Sequence, residues 1–359
     1  MSDPGRKQTA EVMAGGKKTA LVVCPGRGSY TKSELGYFSR NHADEGDLLA
    51  SVDAWRAEAG QTTVSELDGA ERYSLATFMR GDNASLLTFA CSFADFRALQ
   101  RDEIDIVAVT GNSMGWYTAL ACGDALDLSD AINLVNSMGN LVHDQQKGGQ
   151  IIFPLTDDEW QPDVERRKSL DDAVAQIREQ EDCELYQSIV LGGVAVLAGN
   201  DKAIELLQQD GPQGPGRFPM RLQNHGAYHS PMMQSISDQG RDILHPEHFR
   251  APSIPLIDGR GRIWRPKATD AEAIWDYTLG TQVVETYDFA AAIRVGLREF
   301  APDWIIVLGP GDTLGGSIGQ TLVELGWRGI DSKSSFMNIQ SSDPFVVSLG
   351  REEQRGLAA

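Results

Sequence analysis

Apolar positions along this chain fall into two alternating rhythms. Residues 19–24 and 104–110 are short, nearly continuous apolar runs, the pattern of strands buried on both faces. Around them, residues 46–59, 83–99 and 128–146 space their apolar positions for helices. In the last of these, Ile132, Val135, Met138 and Val142 recur at helical intervals and share one face. Such alternation predicts an α/β fold, a mostly parallel sheet with helices on both faces, in a hydrolase-like large domain. The order changes near residue 150. A strand (150–155), a helix (169–180), two strands (185–190 and 194–198), a helix (201–209), a Gly/Pro-rich loop (211–216) and a last strand (217–222) follow in turn. That is the order of a ferredoxin-like βαββαβ subdomain inserted into the larger domain. Helices at 230–244, 271–279, 289–300 and 313–325, with strands at 254–257 and 304–308, then resume the first pattern. The expected organisation is a disordered leader at 1–18, a large α/β domain from 19–149 and 222–340, a small insert at 150–221, and a C-terminal tail at 341–359.

The junction after the 104–110 run carries the clearest chemical signal. Gly111-Asn112-Ser113-Met114-Gly115 lies between that strand and a helix beginning at Trp116, so it is a G-x-S-x-G sequence in strand-turn-helix context. A serine held on so sharp a turn needs glycine on either side, because strand and helix backbones must pass closely. The serine Oγ then protrudes beside the amides of a helix N-terminus, where a developing oxyanion meets donors already in place. A serine nucleophile needs a base, and six histidines are available: His42, His143, His225, His229, His245 and His248. Only His225 and His229 frame a distinctive segment, residues 222–233, which opens a helix just after the insert.

Composition narrows the class. At 359 residues and 41% hydrophobic, the chain can bury a large core. It has no apolar run of membrane-spanning length, and its N-terminus lacks the apolar stretch of a signal peptide. The four cysteines, Cys24, Cys91, Cys122 and Cys183, are far apart and read as thiols in a reducing cytoplasm, neither a disulfide frame nor a metal site. A net charge of −19 argues against a nucleic-acid partner.

Four short motifs, in order and spread over about residues 19–335, resemble the malonyl-CoA:acyl carrier protein transacylase family, the acyltransferases of fatty acid and polyketide synthesis. Cys24-Pro25-Gly26-Arg27-Gly28-Ser29 resembles its P-G-Q-G-S, and Gly111 to Gly115 its G-H-S-x-G. Residues 227–233, which include His229, resemble its histidine segment, and residues 309–314 its late G-P-G-x-x-L. The resemblance implies that Ser113 is the nucleophile and His229 its base, a dyad oriented by a backbone carbonyl, with the Met114 amide as one oxyanion donor. It implies no bound cofactor. The donor would be an acyl-CoA and the acceptor the phosphopantetheine thiol of an acyl carrier protein. An acyl-thioester hydrolase using the same dyad is the alternative. A lipase-like dyad would need an Asp-Gly pair, for which Asp258-Gly259 is the candidate.

The departures concern the substrate. The family's malonyl enzymes carry an arginine in the helix after the elbow, and this chain has Met138 there. Methionine at that position is either plain core filling or the wall of a pocket for an uncharged acyl group. Asn112 stands where the family has histidine, Trp116 where it has glutamate or glutamine, and Arg27 where it has glutamine. Arg27 has three readings: a cationic oxyanion donor, a relocated carboxylate clamp, or a solvent-facing side chain. Tyr228 resembles the bulky aromatic of members taking unbranched acyl units. Arg166, Arg167 and Lys168, or Arg260, Arg262 and Arg265, are candidate docking points for an acidic carrier protein. On Met138, the expectation is a preference for uncharged acyl groups.

Overall fold

The computed structural model describes residues 16–145 and 147–359. Most of the expected leader, up to residue 15, lies outside the described residues, and its last residue, Lys18, already opens the first strand. The strands in chain order are β1 (Lys18–Cys24), β2 (Ile104–Gly111), β3 (Gly149–Pro154), β4 (Leu185–Leu191), β5 (Val194–Gly199), β6 (Met220–Arg221), β7 (Leu256–Ile257), β8 (Ile263–Trp264), β9 (Tyr287–Asp288), β10 (Trp304–Val307) and β11 (Val346–Ser348).

The larger sheet runs β11-β10-β1-β2-β7-β8, and every pairing in it is parallel except β7 with β8. Ala20 to Cys24 of β1 have no exposed surface, so helices cover this central strand on both faces. The elbow helix Gly115–Cys122 packs against β1 and β2, as does the helix Phe289–Phe300. The helices Gly81–Ala98 and Leu128–Asp144 lie against each other and against the elbow helix. Asp127 caps the second of these by accepting from the Asp130 N–H.

The smaller sheet runs β6-β3-β5-β4-β9; its first four strands pair antiparallel, in the strand order of a ferredoxin-like unit. Its helices, Val164–Arg178 and Asp201–Asp210, close a second core around Ile151, Phe153, Leu170, Ile204 and Leu207. The first of these helices starts before the expected residue 169. Asp163 caps it, and its first turns are too polar to show apolar periodicity. The strand expected at 217–222 shrinks to two residues, because Pro219 brings no N–H to the ladder. From the large domain, β9 pairs in parallel with β4 and ties the two sheets together.

The tail expected at 341–359 is not a tail. β11 extends the main sheet beside β10, and Arg355 reaches back to the buried Asp95 at 2.7 Å. Asp95 also accepts from the Tyr37 hydroxyl at 2.8 Å and the Gly309 N–H at 2.6 Å, and it contacts His42 Nε2 at 2.8 Å. This buried cluster holds the chain end against the first helices.

Candidate active site

The elbow forms as its glycines require. Ser113 takes a left-handed backbone, φ +55°, an unfavourable conformation for a residue with a side chain. A Cβ on Gly111 would lie 2.2 Å from the Gly115 backbone, and one on Gly115 would lie 2.2 Å from the Cys24 carbonyl oxygen. A Cβ on Gly26 would lie 2.7 Å from the Asn112 oxygen. The elbow and the loop after β1 therefore interlock backbone to backbone, and the Asn112 N–H donates to the Cys24 carbonyl at 3.0 Å.

Across this junction stands His229, itself at φ +54° and almost fully buried. Ser113 Oγ lies 2.7 Å from His229 Nε2, and His229 Nδ1 lies 2.7 Å from the Gln282 carbonyl oxygen. A carbonyl only accepts, so Nδ1 carries the proton and Nε2 accepts from the serine. Gln282 follows a π-helical turn, Tyr277–Thr281, which separates the helix Ala271–Asp276 from the short helix Gln282–Val284. Its side chain donates to the Ser113 carbonyl at 3.2 Å and accepts from the Tyr117 hydroxyl at 3.1 Å. One residue thus fixes both members of the dyad. Burial pushes the His229 imidazole down to about 4; the Gln282 carbonyl opposes that shift and the Arg27 charge adds to it. The ring is therefore neutral near pH 7 and free to take a proton. Among the described residues, neither the Met114 nor the Arg27 backbone N–H has a hydrogen-bond partner.

A pocket opens beside the dyad, lined by Arg27, Met138, Val142, Tyr228 and Met233, with Ser85 and Gly139 behind. Met138 is buried in its wall. The Arg27 guanidinium stacks on Tyr228, 4.6 Å from the ring centre. Both of its terminal nitrogens are buried with no hydrogen-bond partner among the described residues. His225 does not line the pocket; its ring lies 5.8 Å from the Tyr228 ring, on the segment that carries His229. Its Nδ1 meets Gln150 Oε1 at 2.7 Å, and burial pushes it down to about 3, with Arg27 adding to the shift. Gln150 in turn donates to Ser188, which donates to the Tyr228 carbonyl, so this histidine braces the segment that carries His229.

Two residues named from the sequence as substrate contacts lie elsewhere. Trp116 is fully buried, with its indole N–H donating to Thr278 at 3.0 Å and its ring edge-on to Tyr277; its bulk fills the core behind the elbow. Asn112 lies against Gly26 and does not line the pocket, because the interlock turns it towards the loop after β1. Asp258 accepts from the Trp264 indole and from the N–H groups of Arg260 and Arg262, so it pins the β7–β8 turn and takes no part in a dyad. In the two basic clusters, Arg166, Lys168, Arg260 and Arg265 pair with Asp163, Asp172, Asp258 and Glu299, and Arg262 stacks on Trp264. Gln282 and Tyr117 were not singled out from the sequence. A carbonyl acceptor has no side-chain signature, and a π-helical turn has no periodicity to betray it.

No protein-family model matches the chain. It is 28% identical over 321 residues to a phenolphthiocerol synthesis polyketide synthase of Mycobacterium marinum, covering 86% of this chain and 14% of that protein. It thus spans about a seventh of that relative's length. With the malonyl CoA-acyl carrier protein transacylase of Bacillus subtilis it shares 23% over 239 residues, 66% of this chain and 71% of that one. The solved malonyl-CoA:ACP transacylase of Synechocystis superposes with a TM-score of 0.72 at 17% identity, over 95% of this chain and 99% of that one. A malonyl-transacylase solved in complex with its type II polyketide acyl carrier protein gives 0.69 at 20% identity, over 85% and 93%. The chain thus has the fold of the malonyl-CoA:acyl carrier protein transacylases, and the resemblance carried by its four motifs extends over most of its length.

Proposed function

We propose that this protein is an acyltransferase moving an acyl group from a coenzyme A thioester to the phosphopantetheine thiol of an acyl carrier protein. The observation that carries the reading is the 2.7 Å contact between Ser113 Oγ and a neutral, carbonyl-anchored His229. In the first half, His229 Nε2 takes the Ser113 proton as Oγ bonds to the thioester carbon. The Met114 and Arg27 amides, otherwise unpartnered, receive the oxyanion. The C–S bond breaks, the coenzyme A sulfur leaves with the proton from the imidazolium, and Ser113 holds the acyl group as an ester. In the second half the carrier thiol gives its proton to His229 and its sulfur bonds to the ester carbon; the Oγ–C bond breaks, and the imidazolium returns the proton to Ser113 Oγ.

The acyl group itself draws two opposed arguments from the pocket. Met138 removes the cation that a helix arginine would supply, which favours an uncharged group, while Arg27 brings a cation from another wall. The acceptor is the simpler question. The acyl-enzyme should discharge rapidly to a carrier protein bearing phosphopantetheine and slowly to the same carrier lacking it, as followed by intact-protein mass spectrometry. Equal loss to water with either carrier would make the protein a thioester hydrolase.

A further inference from the structure

Three features of Arg27 stand apart from the dyad. First, its side chain leaves the loop after β1 and reaches the start of the helix Gly81–Ala98, lining the same pocket as Met138. Its Nη1 lies 3.1 Å from where a Cβ on Gly81 would stand, and Gly81 itself packs against the Gly139 carbonyl and Val142. The guanidinium therefore sits in a slot kept open by Gly81, where that residue packs against Gly139, the helix residue after Met138. Second, it is held there by Tyr228, its Cζ lying over that ring at 4.6 Å from the centre. Third, among the described residues both terminal nitrogens are buried without a partner, and none of those lining the pocket is acidic. A buried guanidinium without an anion is costly, and a group that brings a carboxylate offsets that cost.

We propose that Arg27 is the specificity-determining residue of the pocket and that the acyl donor carries a carboxylate, which the guanidinium fork grips while the thioester carbonyl faces Ser113. The inference rests on the acyl transfer proposed above. It reverses the expectation drawn from Met138 alone: the cation missing from the helix enters the same space from the loop after β1. A fork of two parallel N–H donors suits a carboxylate, and a lysine at this site would supply charge without that geometry.

The test is the rate at which Ser113 is acylated by malonyl-CoA and by acetyl-CoA, as kcat/KM, in the unmodified protein and in Arg27→Gln and Arg27→Lys. The unmodified protein should favour malonyl-CoA by about 10²-fold, the scale of one charge-assisted bidentate contact. The ratio should fall at least about tenfold in Arg27→Gln, with Arg27→Lys in between. An unchanged ratio in Arg27→Gln, with both rates reduced alike, would mean that the guanidinium serves the oxyanion, and it would overturn the inference. Acylation of Ser113 by acetyl-CoA and not by malonyl-CoA in the unmodified protein would also overturn it, and would leave acyl transfer standing. Acylation by neither would overturn both.

Discussion

At the scale of single residues, the proposed acyl transfer divides the site into groups that would touch the reacting atoms and groups that hold them. His229 belongs to the first and His225 to the second. His229→Ala should lower the acylation rate by about 10²-fold or more, as loss of a general base does. His225→Ala should keep most of the activity, since its ring contacts Gln150 and Tyr228 and not Ser113. The reverse ranking in a single-turnover assay would overturn the assignment. The environment of His229 also sets a pH dependence. Burial holds its imidazole neutral, and so able to accept a proton, down to about pH 4. The acid limb of kcat/KM should therefore fall near pH 4, and it should move upwards in Arg27→Gln, where one of the charges opposing protonation is gone. A limb near 6.5, the value of an exposed histidine, would show that the ring is solvated during catalysis.

At the scale of elements, the turn that presents Ser113 rests on two close crossings, and glycine is required at both. Gly115→Ala would place a methyl group 2.2 Å from the Cys24 carbonyl oxygen, which forces the elbow away from β1. Such overpacking should cost about 3 kcal/mol, at the upper end of the usual range, and should abolish acylation. A thermal melt like that of the unmodified protein would contradict the crossing described here. These elements were the most legible part of the sequence. The runs of β1 and β2, the amphipathic helix around Ile132 and Val135, and the G-x-S-x-G between strand and helix all announce themselves by period and by glycine spacing. The carbonyl that anchors His229 was not legible: Gln282 acts there through its backbone, from a π-helical turn, and neither feature leaves a pattern. Trp116 misled because motif position alone says nothing of side-chain direction; in the fold it points into the core.

At the scale of the whole molecule, the two sheets are legible as an order of elements, and what joins them is not. β9 is two residues long and β11 three, too short to show a period, yet β9 links the insert to the large domain and β11 completes the main sheet. The end of the chain is part of the core for the same reason that Asp95 is tolerated there, since Arg355 neutralises it. Arg355→Leu should therefore destabilise the protein by roughly 3 kcal/mol in chemical denaturation, at the low end for a broken buried pair because Tyr37 and the Gly309 N–H still serve the carboxylate. No effect on stability would mean that the chain end is dispensable. Among the described residues no helix is long and apolar enough to cross a membrane.

The proposed function stands or falls on one covalent event, the transfer of an acyl group to Ser113. Intact-protein and peptide mass spectrometry after incubation with malonyl-CoA and acetyl-CoA tests it most directly. An acyl adduct is expected on the peptide containing Ser113 in the unmodified protein and none in Ser113→Ala; an adduct of the same mass on Ser113→Ala would show that another residue is acylated.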